Sequence, residues 1–170
     1  VVPPEQPVLQ TARRAGVPII GEIELASRWL SGRVVAITGT KGKSTTTTLT
    51  ARMLEAGGLT VTAGGNLGTP LSTQVAASTA AAIHVVEVSS FQLETTDRFH
   101  PWIAVLVNLS PDHLDRHATF EEYAGAKARV FANQTPEDWA GINAEDPASL
   151  ALARAARARR FDFALQASVS

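Results

Sequence analysis

Val34-Val35-Ala36-Ile37-Thr38-Gly39-Thr40-Lys41-Gly42-Lys43-Ser44-Thr45 is a run of β-formers that breaks into a glycine-punctuated turn ending in Lys-Ser-Thr. Such a turn builds a phosphate cradle, because glycines let backbone N–H groups converge on an anion where a Cβ would obstruct positive φ or close approach. A helix starting near Lys43 would add its positive dipole end. Lys43 would lie along the β- and γ-phosphates of a nucleotide, and the Ser44 hydroxyl would ligate Mg²⁺. Gly39, Thr40, Lys41, Gly42, Lys43, Ser44 and Thr45 are therefore the candidate nucleotide-binding residues. The usual G-x-x-x-x-G-K-[ST] spacing would put its first glycine at Ile37, whereas the glycine stands at Gly39, so the loop is a compressed variant. The plain alternative is a glycine-rich turn with a chance Lys-Ser, but strand, turn and helix occur in the order the cradle requires.

With 170 residues, 45% of them apolar, the chain can bury one sizeable core. A formal charge of −1 exerts no general pull on nucleic acid, and no nucleic-acid partner is expected. The absence of cysteine excludes disulfides and thiolate metal sites, so a metal must be held by oxygen or imidazole ligands. No apolar run reaches the roughly 18 residues of a membrane span, and no charged-then-apolar leader opens the sequence. A soluble, cytoplasmic, monomeric protein without a membrane partner is the expectation.

After Pro3, Pro4 and Pro7 the pattern suggests a short helix from Val8 to Gly16, an apolar strand Val17–Ile20 and a helix Glu22–Leu30. Residues 1–31 read as the tail of a preceding domain with a connector, and residues 32–170 as part of a central domain. From Arg33 strand and helix alternate, which predicts an α/β fold with a mostly parallel sheet and helices on both faces. Strands are expected at Val34–Thr38, Leu59–Ala63, Ile83–Val88, Trp102–Val107, about Trp139–Asn143, and Arg160–Phe163. Helices are expected at Lys43–Ala56, Thr69–Ser78, Thr119–Ala132 and Pro147–Arg159. The threonines Thr45 to Thr48 are poor helix formers, so the first of these helices relies on the phosphate-loop context. Arg154, Arg157, Arg159 and Arg160 read as a solvated helix face.

In open parallel sheets the chemistry gathers at the carboxyl ends of the strands. Three loops there carry reactive residues: Gly64-Gly65-Asn66-Leu67-Gly68, Glu87-Val88-Ser89-Ser90-Phe91-Gln92-Leu93-Glu94, and Asn108-Leu109-Ser110-Pro111-Asp112-His113-Leu114-Asp115. Glu87 ends the apolar run Ile83-His84-Val85-Val86, where an unpaired carboxylate would be costly. A Mg²⁺ near Ser44 would offset that cost; backbone N–H groups around a structural carboxylate are the alternative. His113 lies among acids, and by itself reads as an ordinary loop histidine. In the helix capped by Thr119, with Glu122 at the capping-box position, Phe120, Tyr123, Ala124, Lys127, Val130 and Phe131 fall on one face. A lysine on that stripe must snorkel, pair, lose its proton or be modified.

Together, the phosphate loop, Gly64 to Gly68, Glu87 to Glu94, Asp112-His113-Leu114-Asp115-Arg116 and Ala126-Lys127-Ala128-Arg129 resemble, in order and spacing, the central ATP-binding domain of the Mur ligases of peptidoglycan synthesis. Ser89 to Glu94 resembles the branch of that family that adds D-glutamate. The similarity runs from about Val17 to Asp146. Lys41 stands where asparagine is more common, a feature similar to the related folylpolyglutamate synthases. A P-loop module without ligase activity is the alternative outside that class, and a structural domain is another.

The resemblance implies an ATP-dependent, amide-bond-forming ligase that phosphorylates the carboxylate of UDP-N-acetylmuramoyl-L-alanine and lets the amine of D-glutamate attack the acyl phosphate. It implies that Lys43 stabilises phosphoryl transfer and that Ser44 and Glu87 hold a first Mg²⁺. His113 would bind a second Mg²⁺ together with Lys127, carried as a carbamate. Asn66 would contact the muramoyl-alanine substrate, with Ser89 and Gln92 as supports. Cations would neutralise the transferring phosphoryl group while positioning supplies the rest. The sequence lacks most of the uridine-binding domain and the closing domain expected of that family. It is therefore expected to be a fragment unable to complete the reaction alone.

Overall fold

The computed structural model describes residues 6–111 and 117–166. Strand Arg33–Thr38 (β1) is buried from Val34 onward because it is paired on both sides. Ile83–Glu87 (β3) lies parallel to it in register Val35↔Val85, and Ile103–Leu106 (β4) on its other side in register Val35↔Ile103. Val61–Gly65 (β2) extends the sheet beyond β3, and Trp139–Asn143 (β5) and Arg159–Phe163 (β6) extend it beyond β4. The result is a six-stranded parallel sheet of order β2-β3-β1-β4-β5-β6. The chain leaves β1 toward one edge and β4 toward the other, so a crevice opens between their carboxyl ends, the usual ligand position in such sheets.

Alternation along β1 divides the core. Val34 and Ala36 join Val86, Ala104, Leu106 and Ile142 in a cluster covered by helix Glu22–Ser27 (α2), a 3₁₀ turn at Leu71–Ala77, and Val130 and Phe131. Val35 and Ile37 face the opposite way, with Val85, toward Ala51 of helix Lys43–Ala56 (α3). The fold is thus the expected α/β sandwich. Helix Pro7–Arg14 (α1) buries none of its residues. Among the described residues no helix is long and apolar enough to cross a membrane.

Helix α3 spans the expected residues despite its threonines. Gly42 caps it in the left-handed region, and the hydroxyl of Thr46 turns back to donate to the Gly42 carbonyl at 2.9 Å. Several boundaries differ from the sequence reading, each for a local reason. Val17–Ile20 forms no strand, because the Val17 N–H is held by the Ala12 carbonyl as helix α1 unwinds through Gly16. The helix begun at Glu22 stops at Ser27, whose hydroxyl bonds the Glu24 carbonyl. Strand β2 starts at Val61 rather than Leu59, since Leu59 N still donates to Leu54 O in the closing turn of α3. The segment after Pro70 is a 3₁₀ turn, entered through that proline's extended backbone. Helix Phe120–Ala128 (α5) tightens into a 3₁₀ turn at Arg129–Phe131.

Helix Pro147–Ala153 (α6) ends well before Arg159, and the four arginines do not share a helix face. Arg160 pairs with Asp162 on β6 at 2.6 Å, Arg159 lies over the Trp139 ring, and Arg157 bonds the Ala132 carbonyl. One helix lacks a sequence counterpart: Ser90–Leu93 (α4), a single turn too short to show a period.

At the end of the sheet where β4 begins, α2 is fastened by a buried charge. Glu24 is fully buried; its Oε2 accepts the N–H groups of Asp97, Arg98 and Phe99 at 2.8–3.0 Å, and its Oε1 accepts Arg28 Nε at 2.7 Å. Burial pushes its carboxyl up, but the amide of Asp97, the Arg28 guanidinium and the amides of Arg98 and Phe99 outweigh that and hold it below the ordinary 4.5.

A candidate phosphate and metal site

The loop between β1 and α3 adopts the conformation its glycines permit. Gly42 has φ 79°, and a Cβ on Gly39 would lie 3.2 Å from both the backbone N and O of Asn108. The first backbone bond of α3 runs from Thr46 N to Gly42 O at 2.9 Å. The N–H groups of Lys43, Ser44 and Thr45 therefore have no intrahelical acceptor, and the positive end of a helix of 14 residues opens at the crevice. Lys43 folds back over the loop, its Nζ donating to Thr40 O at 2.9 Å.

The phosphate loop and the loop after β2 converge on Glu87. This carboxylate is 2% exposed. Ser44 Oγ donates to its Oε2 at 2.6 Å and Asn66 Nδ2 to its Oε1 at 2.8 Å. Ser44 and Glu87, expected together, and Asn66, expected as a substrate contact, are thus brought together at the foot of the cradle. Asn66 is held there by its own N–H, which donates to Glu87 O at 2.9 Å. The approach depends on Gly65, where a Cβ would come within 2.4 Å of Glu87 O; one on Gly64 would come within 2.4 Å of Thr69 O, in the turn that carries Asn66. A hydroxyl beside a buried carboxylate at a helix N-terminus is a donor set that fits Mg²⁺ shared with phosphate oxygens. The free first-turn amides and Lys43 fit the phosphates themselves.

Lys127 does not snorkel. It is 1% exposed, donates from Nζ to Gly39 O at 2.8 Å and lies 4.7 Å from the centroid of the Tyr123 ring. Of the options left open for a lysine on the buried stripe, pairing is the one seen, and it supports the cradle from beneath. Tyr123, one turn earlier on α5, places its hydroxyl 3.1 Å from Thr40 Oγ1, which also donates to Ser110 O at 3.1 Å. His113 lies outside the described residues.

The other expected site residues serve locally. Ser89 and Gln92 form a capping box at α4: Gln92 Oε1 accepts Ser89 N at 2.9 Å, and Ser89 Oγ accepts Gln92 N at 3.3 Å. Their polar groups bond one another. Thr40 and Lys41 belong to the cradle, but their N–H groups both donate to Asn108 Oδ1, at 3.1 and 2.9 Å. Asn108 was not singled out from the sequence; its position just after β4, beside the switch point, is the available signal. His117 is a second unforeseen residue near the cradle. It stacks on Phe91, meets the Tyr123 ring edge-on and lies 3.1 Å from Ser90 Oγ.

A parallel sheet with a compressed phosphate loop, a buried carboxylate at its foot and a lysine beneath it defines a nucleotide-binding α/β domain. The chain belongs to the Mur ligase family: the family model of the Mur ligase middle domain matches residues 37–169. A relative from Anaeromyxobacter dehalogenans named "UDP-N-acetylmuramoylalanine--D-glutamate ligase" is 52% identical over 169 residues, 99% of this chain and 36% of the relative. Another of that name, from Koribacter versatilis, is 46% identical over 168 residues, 99% of this chain and 37% of the relative. The chain thus spans little more than a third of the length of these curated relatives. In fold it is similar to the UDP-N-acetylmuramate:L-alanyl-gamma-D-glutamyl-meso-diaminopimelate ligase from Neisseria meningitides, with a TM-score of 0.69 at 21% identity over 96% of this chain and 56% of that one. It is also similar to the MurF ligase from Thermotoga maritima in complex with ADP, with a TM-score of 0.64 at 21% identity over 86% of this chain and 36% of that one.

Proposed function

We propose that this chain is the nucleotide-binding part of an ATP-dependent ligase that joins D-glutamate to UDP-N-acetylmuramoyl-L-alanine through an acyl phosphate. Residues 1–31 would lead in from a substrate-binding domain, and residues 32–170 would form part of the central domain. The observation that carries the reading is the convergence of Ser44 and Asn66 on the buried carboxylate of Glu87, directly beneath the opening of α3. The names of the relatives support the choice of substrates.

In this reading the N–H groups of Lys43, Ser44 and Thr45 and the Lys43 ammonium bind the phosphate chain. Lys43 must leave the Thr40 carbonyl to do so. Ser44 and Glu87 would hold one Mg²⁺, and bound metal supplies charge neutralisation for phosphoryl transfer. Asn66, fixed by Glu87, orients the muramoyl-alanine, and the capping box of Ser89 and Gln92 holds the adjoining turn. His113 and Lys127 would hold a second Mg²⁺. As an ammonium Lys127 is a donor, so that role requires the carbamate formed by its neutral amine and CO₂, with release of a proton. Its burial weighs against the charged form, and forming the carbamate would replace its bond to the Gly39 carbonyl.

ATP with Mg²⁺ should raise the melting temperature, and Lys43→Ala should abolish the rise. In the ligase the same change should remove about 3 kcal/mol of transition-state stabilisation. An undiminished rise in Lys43→Ala overturns the assignment. For Lys127, turnover of the ligase should collapse in Lys127→Ala and recover partly with added short carboxylic acids. Wild-type turnover of that variant in CO₂-depleted buffer would dismiss the carbamate.

A further inference from the structure

The phosphate loop is held from outside its own sequence by one carboxamide. Asn108 Oδ1 accepts both Thr40 N and Lys41 N, and Asn108 Nδ2 donates to Lys41 O at 2.9 Å. The main chain of Asn108 adds a further bond, accepting Thr40 N at 3.0 Å. It is also what a Cβ on Gly39 would strike. Asn108 therefore faces the first half of the loop with side chain and backbone together.

The segment bearing Asn108 is fixed in turn by the next strand. Asn143, the last residue of β5, donates from Nδ2 to Val107 O at 3.0 Å. Asp146 accepts Leu109 N at 2.5 Å through Oδ2, the oxygen that also accepts Ser149 Oγ at 2.6 Å. The residues on either side of Asn108 are thus anchored to the end of β5 and the start of α6. A line of polar contacts runs across the carboxyl edge of the sheet from β5 through Asn108 to the cradle.

We infer that Asn108 is a positioning residue for nucleoside polyphosphate binding: by taking the N–H groups of Thr40 and Lys41, it divides the loop into a fixed half, 39–41, and a phosphate-binding half, 42–45. A carboxamide suits this task because it accepts two N–H groups and donates to a carbonyl while carrying no charge that would repel phosphate. The inference rests on reading residues 39–45 as a nucleotide cradle, and it changes that reading in one respect. Thr40 and Lys41 shape the cradle, and their amides do not bind phosphate.

The test uses this chain and ADP with Mg²⁺, followed by backbone amide NMR. Adding ADP should shift the amides of Gly42, Lys43, Ser44 and Thr45 strongly, while those of Thr40 and Lys41 move little and stay protected from hydrogen exchange. Asn108→Ala should weaken ADP binding about tenfold, measured well below the melting temperature of both proteins, as expected for losing two or three modest hydrogen bonds. In that variant the Thr40 and Lys41 amides should lose their protection. A merely structural asparagine would lower the melting temperature and leave affinity and the division of amide shifts unchanged. The inference is overturned if ADP shifts the Thr40 and Lys41 amides as far as those of Ser44 and Thr45, or if folded Asn108→Ala binds ADP like the parent. If ADP shifts none of these amides, the cradle reading fails and the inference with it. The amide measurements on the unsubstituted chain stand even if Asn108→Ala does not fold.

Discussion

Two glutamates are buried at opposite ends of the sheet, and their surroundings differ in kind. Glu24, where β4 begins, is met by three backbone N–H groups and a guanidinium. Glu87, at the carboxyl end of β3, is met by one hydroxyl and one carboxamide, and among the described residues no cation pairs with it. The first carboxylate has its charge answered inside the fold and fastens α2 to the loop ahead of β4. The second has its geometry fixed by neutral donors, and in the proposed reading its charge is left for a bound Mg²⁺. Burial alone would have ranked the two together, since one is 0% and the other 2% exposed. The chemistry of the donors separates a fastening from a site.

The largest expected effect falls on the fastening. Glu24→Ala leaves three buried N–H groups without their acceptor and Arg28 without its closest partner. It should cost about 3 kcal/mol of stability, or roughly 6–12 °C in melting temperature for a domain of this size. ADP affinity measured below the transition should be unchanged. The same residue carries a pH signature. Its carboxyl is held below the ordinary 4.5, so its stabilisation is fully present above that pH and fades as pH falls through the lowered value. Stability followed by circular dichroism should decline as pH falls below the ordinary 4.5, and Glu24→Gln should flatten that part of the curve. A variant as stable as the parent at neutral pH would break the comparison from one side.

The smaller effect, in stability, falls on the site. Glu87→Gln removes a buried charge and keeps its shape, so stability without metal should change by no more than about 1 kcal/mol, in either direction. Calorimetric titration with ADP should then show that the gain in affinity given by Mg²⁺ in the parent has disappeared. If Glu87→Gln instead destabilises the fold as much as Glu24→Ala, Glu87 is a second fastening and the contrast collapses.

Much of this arrangement was readable from residues. The strand Val34–Thr38, the glycine turn and helix Lys43–Ala56 appear almost as the pattern dictates, because a phosphate loop fixes strand, turn and helix at one spacing. The pairing of Ser44 with Glu87 at a shared edge could be foreseen, since in a parallel sheet every strand delivers its last residues to the same edge; that Asn66 bonds the same carboxylate could not. The elements that escaped were decided by contacts the sequence does not display. Helix α4 is one turn without periodicity. Strand β2 begins late because the end of α3 still holds Leu59. Glu24 sits on its helix like any solvent-facing glutamate of a first turn, and its value appears only when Asp97 to Phe99 fold over it. Asn108 is separated from Lys41 by 67 positions, a distance no spacing rule spans. Lys127 stood out as an anomaly on an apolar stripe, but its partner Gly39 is 88 positions away.

The glycine pair closing β2 has a wider consequence. Asn66 reaches Glu87 only because Gly65, just before it, has no side chain to strike the Glu87 carbonyl and hold the strands apart, while Gly64 leaves room for the Thr69 carbonyl that receives the Gly65 N–H. The distance between the sheet edge and the buried carboxylate is therefore gauged by the absence of atoms. Nothing at Gly64 or Gly65 touches a reacting group, yet a single methyl there would act as a wedge, moving the asparagine away and leaving every polar residue of the site intact but out of reach. Those two positions would look silent in any inventory of chemistry and behave, under mutation, like part of it.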